Sequence, residues 1–460
     1  MLSDPIAALA TPPGRSALAV IRLSGRGALD IAAKVVPTFT AEPPRTAHLA
    51  NFVDGDGMLI DRGLYTVFPG PHSYTGEDLV EFSCHGGFVV PVRLVAALLA
   101  AGARPALPGE FTRRAVLHGR MDLLQAEAVG DLIDATATAQ ARAALHQIDG
   151  GLSRRLAALR TALLDVEALL GYDIDFPEED DGPVAPARIA ERMTELQAQV
   201  ARLLATAPAG ERLRAGALVV LAGPPNVGKS SLFNALLGAD RAIVTATPGT
   251  TRDAIEAATE FLGWPIRLVD TAGLRESEDE AEQLGVGFSR RYVEGAEVVV
   301  LCEDGQGRGA AGPDNSGAAG QRGGLAGPPV TSGRTLCVWT KADLATAPLP
   351  RCPAAPPILT SAVTGEGLDA LKAAVVRTAF GEHATLTDLE PGLTRERHRI
   401  ALTRAQGALQ EAMPHLLARG DAVLAAHHLR EAARALEELI GVVDVDEVLD
   451  RVFRSFCVGK

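Results

Sequence analysis

Residues 217–238 read "ALVVLAGPPNVGKSSLFNALLG". A short apolar run, a Gly/Pro turn and a helical stretch follow one another, the pattern of a buried strand delivering a turn onto a helix. Gly223, Gly228, Lys229 and Ser230 fit the spacing G-x-x-x-x-G-K-[ST]. The glycines let backbone N–H groups curl around a phosphate, and Lys229 adds a point charge for the β/γ oxygens. Ser230 offers magnesium a hydroxyl, and the helix N-terminus adds its positive end. Asn226, Val227 and Ser231 complete this phosphate loop.

Three later segments come in the order a guanine-nucleotide domain needs. "TPGTTRD" (247–253) offers Thr251 as a second magnesium ligand in a first switch that also holds Thr245, Ala246, Thr247, Pro248, Gly249 and Thr250. "IRLVDTAGL" (266–274) ends a strand with Asp270, Thr271, Ala272 and Gly273, placing a carboxylate at the magnesium shell and a glycine at the γ-phosphate. "LCVWTKADL" (336–344) ends another with Thr340, Lys341, Ala342 and Asp343. The Asp343 carboxylate can accept both N1–H and N2–H of guanine, which adenine cannot offer. Ser361, Ala362 and Val363, in "ILTSAVTGEG", back the base. The four motifs together predict a GTP-hydrolysing domain. Thr340 stands where Asn is more usual, which predicts altered affinity without a switch to ATP.

Leu274 follows Gly273, where many GTPases place a water-orienting Gln. An apolar side chain cannot align a nucleophile, so the group must come from elsewhere. Asn226, Thr245, Thr247 and Thr250 can give oxygens to a monovalent cation that does the electrostatic work of an arginine. Asn226 equally suits a turn.

Around this unit the chain is 460 residues long with 47% hydrophobic residues and few aromatics, enough for two to four domains, several of them helical. A net charge of −13 argues against nucleic-acid binding through overall charge and leaves room for a local basic surface. Five cysteines (84, 302, 337, 352, 457) are scattered without a C-x-x-C pair, which suits free thiols in a reducing cytosol and offers no zinc site. The N-terminus lacks the basic start and apolar core of a signal peptide, and no run of 18 apolar residues is present. Only five of the 44 basic residues are lysines. Lys229 and Lys341 have an assigned task, which draws attention to Lys460.

Residues 1–118 mix β-rich runs ("ALAVIRL", "GLYTVF", "DLVEFSC") with turn clusters ("FPGPHSYTGED", "CHGG") and predict a compact α/β domain. Residues 119–213 are helical, with a break at Gly150-Gly151, a helix from Pro186 and a boundary at "APAGERLRAG". Residues 214–381 alternate strand and helix signals, as in a Ras-like, doubly wound, mostly parallel sheet. Within them, 305–333 is a low-complexity Gly/Ala segment. Residues 382–460 are helical again, so the α/β unit is inserted into a helical domain.

With these blocks in place the chain resembles the MnmE (TrmE) family of tRNA modification GTPases. The likeness runs through "ATPPGR", "IRLSG", "FPGPHSYTGEDLVEFSCHGG", "RPALPGEFTRRA", "MDLLQAEAVGDLIDA", "DIDFPEED", "GPPNVGKSSLFNALLG", "DTAGLRE" and the terminal "FCVGK". The 305–333 segment has no counterpart. The resemblance implies a folate-binding N-terminal domain that forms a homodimer, and a potassium-dependent GTPase whose two nucleotide domains meet. Asn226, Thr245, Thr247 and Thr250 then match the potassium site, and Glu282 the residue that orients the attacking water. By spacing alone Glu282 is one solvated charge in an acidic stretch. The implied chemistry is shared with an FAD-dependent partner, MnmG, in a heterotetramer or larger complex. It places an aminomethyl or carboxymethylaminomethyl group on C5 of the wobble uridine of tRNA. The carbon source is a tetrahydrofolate (5,10-methylene, or 5-formyl as ligand). Folate contacts map to Arg22, Glu81, Arg120 (where lysine is usual) and Lys460. Read alone, Arg22 and Glu81 make a surface ion pair.

Cys84-His85 invites a nucleophile–base reading, against which the following glycines suit a backbone turn near a ligand. "FTRRAVLHGR" (111–120) and "LTRERHRIALTR" (393–404) are basic enough to meet tRNA phosphate or merely to be solvated. A competing function is a ribosome-assembly or signalling switch without modification chemistry. Cys457 stands fourth from the end, as in a prenylation box, but Gly459 is not aliphatic and Lys460 is a poor terminal residue. Val445, Val448, Leu449, Val452, Phe453 and Phe456 form an apolar helical stripe. The stripe would carry Cys457, as a reactive thiol, and Lys460 to a folate site in the same chain or across the dimer.

Overall fold

The computed structural model describes residues 4–175, 186–238, 255–270, 292–304, 334–344, 357–381, 392–417, 421–441, 452–453 and 456–459. The chain divides into two compact units, one made of 1–130, 147–199 and 401–460, the other of 131–146 and 200–400.

The first unit opens with β1 (Ile6–Leu9), β2 (Gly14–Ser24), α1 (Ala28–Val35), β3 (Ala47–Val53), β4 (Leu59–Phe68), β5 (Leu79–Gly87), α2 (Val90–Ala100), β6 (Arg104–Pro105) and α3 (Glu110–Leu117). The strands form one sheet in the order β3-β4-β5-β2-β1-β6, antiparallel except for β1 with β6. Strand parity sorts the side chains. Ala19, Ile21 and Leu23 of β2, Tyr65 and Val67 of β4, and Val80, Phe82 and Cys84 of β5 enter one core with Ala28, Ile31, Leu94 and Leu98 of the two covering helices. Arg22 and Glu81 have the opposite parity and stand as direct cross-strand partners on the other face. "CHGG", expected as a turn, continues β5 to Gly87, because Ala19, Leu18 and Gly14 of β2 pair with Cys84, His85 and Gly87.

Next come α4 (Leu123–Asp134), α5 (Thr138–Ile148), α6 (Gly151–Asp175), α7 (Pro186–Ala205) and α8 (Ala207–Ala215). Gly150, at φ 77°, separates α5 from α6. Leu152, Leu156, Leu159, Leu163, Val166 and Leu170 recur every three or four residues along α6 and are buried. "APAGERLRAG", read as a boundary, is itself a helix. Its Pro208 sits in the first turn and Gly216 closes it at φ 80°, so the two residues that punctuate loops here flank a helix.

The second unit holds β7 (Ala217–Ala222), α9 (Lys229–Leu237), β8 (Ile255–Phe261), β9 (Trp264–Asp270), β10 (Val298–Asp304), β11 (Thr335–Thr340), β12 (Ile358–Leu359) and α10 (Leu368–Phe380). The order is β12-β11-β10-β7-β9-β8, parallel throughout except that β8 runs antiparallel to β9. The central β7 is apolar along its whole length, as a strand covered on both faces must be. The Gly/Ala segment at 305–333 lies outside the described residues. The chain closes with α11 (Glu396–Leu417) and α12 (Ala422–Ile440). Arg160 of α6 pairs with Glu437 of α12, and the Gln197 amide of α7 donates to the Leu409 carbonyl of α11.

Cys84, Cys302 and Cys457 are free, but Cys337 on β11 is disulfide-bonded, which corrects the expectation of free thiols throughout. Residue spacing cannot report which Cβ atoms the fold brings within bonding reach. Among the described residues no helix is long and apolar enough to cross a membrane.

Candidate functional site

In the second unit the loop between β7 and α9 lies at the carboxyl ends of parallel strands, where open α/β sheets place ligands. Gly223 is required there. A Cβ on it would collide with the Cys302 carbonyl of neighbouring β10, and its φ of 144° disfavours a side chain. Asn226 (φ 63°) and Gly228 (φ 98°) both take left-handed conformations, curling the backbone into an anion cradle ahead of α9.

The guanine motif holds this cradle by its outer side. Thr340 Oγ1 lies against the Val227 carbonyl and 3.0 Å from that of Glu303. Lys341 Nζ donates to the Asn226 carbonyl and to Asp304 Oδ2, both at 2.9 Å. In a planar trans peptide the carbonyl and the following N–H point opposite ways. Fixing the carbonyls of Asn226 and Val227 therefore turns the N–H groups of Val227 and Gly228 to the other side, where a phosphate would lie. Lys229, buried, bridges the carbonyls of Gly223 and Pro224 at 3.1 and 2.7 Å.

Ala342 N–H donates to the Thr360 carbonyl, which lays the base motif beside the segment after β12. Ser361 Oγ donates to Asp343 Oδ1 at 2.6 Å and accepts from the N–H of Val363 and Thr364. One Asp343 oxygen is thus held while the carboxylate stays on an exposed edge, and Val363 is fully presented to solvent. Asp270 is buried at the end of β9. With the exposed Ser230 at the start of α9 it gives hard oxygen donors, a set that suits magnesium. Cys302 is no nucleophile: burial, with the Asp270 charge adding to it against Lys229, pushes its thiol to about 12.

Thr245, Ala246, Thr247, Pro248, Gly249, Thr250, Thr251, Thr271, Ala272, Gly273 and Glu282 lie outside the described residues, as does Lys460. Asp304 was missed in the sequence. Its signal is its place at the end of "VVVLCED", two residues beyond the apolar part of a parallel strand.

In the first unit Arg22 Nε pairs with Glu81 Oε1 at 2.9 Å, and the Tyr74 ring stands 5.3 Å from the Arg22 guanidinium carbon. Burial raises the Tyr74 hydroxyl above its usual range, opposed by its bond to Thr112 and by Arg22. Arg120 Nε donates to the Ser73 carbonyl at 3.1 Å, next to Tyr74. The loop carrying both is clamped by α3. Arg114, almost fully buried, pairs with Glu77 at 2.9 Å and Glu110 at 3.0 Å, and His118 Nδ1 meets the Thr75 carbonyl.

The C-terminal tail comes to the same place. Val452, Phe453 and Phe456 pack with Leu123 and Ala126, and the Gly109 N–H donates to the Cys457 carbonyl. Gly459, at φ 94°, abuts the Leu9 carbonyl, and its own carbonyl accepts from Arg22 Nη1 at 3.5 Å. Arg22, Glu81 and the tail of the same chain therefore converge. Cys457 is exposed. Val445, Val448 and Leu449 lie outside the described residues. Tyr74 and the Gly459 carbonyl went unrecognised, since neither residue type in isolation marks a site.

Cys84 and His85 do not form a nucleophile–base pair. Alternation sends Cys84 into the core, where burial, aided by Asp61, pushes its thiol to about 11. His85 points the other way and meets Asp61 at 2.9 Å.

Two family models match: "MnmE helical domain" over residues 123–457 and "GTP-binding protein TrmE N-terminus" over 5–120. A protein of Thermus thermophilus named "tRNA modification GTPase MnmE" is 44% identical over the whole of both chains. Its namesake from Akkermansia muciniphila is 41% identical, again over 100% of each. That of an Azoarcus species is 42% identical, over 99% of this chain and 98% of the other.

Proposed function

This chain belongs to the MnmE family of tRNA modification GTPases, and on that footing we propose how it divides its work between two sites. It is a GTP-hydrolysing enzyme of tRNA modification. In our reading the second unit binds GTP through Asn226–Ser231, the switch segments 245–251 and 270–273, Thr340–Asp343 and Ser361–Val363. Magnesium is held by Ser230 and Thr251, and potassium by Asn226, Thr245, Thr247 and Thr250. These ions supply positive charge to the phosphate oxygens when bound. Glu282 orients a water whose oxygen forms a bond to the γ-phosphorus as the bond to the β–γ bridging oxygen breaks, leaving GDP and phosphate. Two nucleotide domains of a homodimer meet for this step.

The first unit holds a tetrahydrofolate one-carbon carrier through Arg22, Glu81, Arg120 and Lys460. The observation that carries this half is the convergence of Arg22, Glu81 and the Gly459 carbonyl, with the flat Tyr74 ring beside them. The Arg22 donor with the Glu81 and Gly459 acceptors suits the polar edge of a pterin, and the ring suits its face. Cys457 is exposed two residues before that carbonyl and is the reactive thiol of the reading. With an FAD-dependent partner, MnmG, the chain places an aminomethyl or carboxymethylaminomethyl group on C5 of the wobble uridine of tRNA, in the cytoplasm. The basic stretches 111–120 and 393–404 are its candidate tRNA contacts.

GTP hydrolysis should be faster in potassium than in sodium, and faster again with the partner; equal rates in both salts remove the cation. Wobble nucleosides from a deletion strain decide against a pure switch, because a switch without modification chemistry leaves them unaltered. Cys457→Ser with normal modification would remove the thiol.

A further inference from the structure

The helical part of the first unit carries a cluster that neither site uses. On α11, Glu411 and His415 are four residues apart, and on α12, His428 and Glu431 are three apart, so each pair shares one face of its helix. The two faces meet. His428 Nδ1 lies 3.3 Å from Glu411 Oε2 and 3.5 Å from Glu431 Oε2. One ligand atom from each of the three residues falls within 4.8 Å of the others. The His415 ring stacks over that of His428, with centroids 6.0 Å apart and planes 16° apart, and His427 Nε2 approaches Glu431 at 3.7 Å.

Although two carboxylates stand this close, His428 Nδ1 is buried and has no hydrogen-bond partner among the described residues. The approaches have the wrong angles for hydrogen bonds and the right separations for a shared cation. Metal–nitrogen and metal–oxygen bonds of about 2.0–2.1 Å at a tetrahedral centre set neighbouring donor atoms roughly 3.3–3.4 Å apart. The two edges at His428, 3.3 and 3.5 Å, are within about 0.2 Å of that length. The third edge joins the two carboxylates of mostly exposed side chains, which can close by rotating. Mixed imidazole and carboxylate donors favour a borderline first-row ion over magnesium or calcium, which take oxygen alone.

We propose that Glu411, His428 and Glu431 bind a divalent transition ion, zinc foremost, with His415 or His427 as the fourth protein donor, pinning α11 to α12. The alternative is an imidazole packed between two carboxylates that takes up no metal.

Zinc titrated into the full chain against a chromophoric chelator, with excess magnesium and GDP present, separates the two. The wild type should take up one zinc that magnesium does not displace, and Cys457→Ser should do the same. E411Q/E431Q, at two exposed positions that leave the core intact, should weaken zinc at least about ten-fold, the scale on which even outer partners of a metal act. His428→Ala should do likewise. A wild type that loses the chelator competition, or zinc affinity unchanged in E411Q/E431Q, overturns the proposal.

Discussion

Thr340 is the position where this chain's guanine motif departs from the usual asparagine, and its surroundings fix what the departure should cost. The side chain is buried, and its single hydroxyl proton faces two carbonyl oxygens, those of Val227 and Glu303. An asparagine amide has two N–H donors and can serve both. Because the Val227 carbonyl and the Gly228 N–H share one peptide plane, whatever holds the carbonyl also aims a phosphate donor. Thr340→Val keeps the shape and removes the proton. Losing a buried hydrogen bond costs about 1–2 kcal/mol, which is roughly a 5- to 30-fold loss of guanine-nucleotide affinity. Thr340→Ser keeps the hydroxyl and should stay close to wild type. Thr340→Asn should bind tighter than wild type by up to about ten-fold, since one further bond is worth about 0.5–1.5 kcal/mol. Equilibrium titration with a fluorescent GDP analogue measures all four, and ATP should fail to compete in each because Asp343 is unchanged. A valine variant that binds as well as threonine would show that the contact does not position the cradle. An asparagine variant no tighter than valine would refute the two-acceptor reasoning.

Two further consequences concern the first unit. Burial pushes the Glu110 carboxyl up, but bonds from Arg104, the Leu107 N–H and Arg114 outweigh it and bring the group to about 2 from an ordinary 4.5. A depressed carboxylate stabilises the fold fully above its unfolded value, and the contribution is lost as pH falls from there toward 2. About 3 kcal/mol is linked to that shift. Glu110→Gln should therefore lower neutral-pH stability by about that amount and flatten its acid dependence between pH 4.5 and 2, followed by urea unfolding at several pH values; parallel acid profiles would count against it. Gly459→Ala should release the tail, because a Cβ there meets the Leu9 carbonyl and lies 2.9 Å from Ala10 Cα at a φ of 94°. Left-handed strain of about 1–2 kcal/mol adds to that collision. Hydrogen exchange at the Gly109 amide, which donates to the Cys457 carbonyl, should speed up about ten-fold or more; unchanged protection would mean that Gly459 does not anchor the tail.

The second unit was the more legible in sequence because its chemistry is backbone chemistry. A loop that must bring several N–H groups to one phosphate needs glycine at fixed spacing, and a parallel strand covered on both faces needs an unbroken apolar run. Both are visible in 217–238 without any partner. The links between motifs were not legible. Lys341 is joined to Asp304 and to Asn226, respectively 37 and 115 residues away in sequence, and no local pattern marks either contact. The helix within "APAGERLRAG" was hidden for a different reason. Proline and glycine mark the ends of helices as readily as they mark loops, and only the hydrogen bonds between them decide.

The tail shows how a residue can be readable in kind but not in place. Its apolar stripe predicts packing, and Phe453 and Phe456 do pack, against Leu123 and Ala126. What the stripe cannot predict is the face of the sheet it reaches. That face is set by the parity of β2 and β5, which sends Ile21 and Phe82 into the core and leaves Arg22 beside Glu81 on the outside. A one-residue slip of either strand would break the pairing and turn that strand's charge toward the core. The register that builds the hydrophobic core therefore also builds the polar site. Core substitutions that preserve the register should spare the Arg22–Glu81 pair, whereas an inserted residue in β2 should abolish it even if the fold survives.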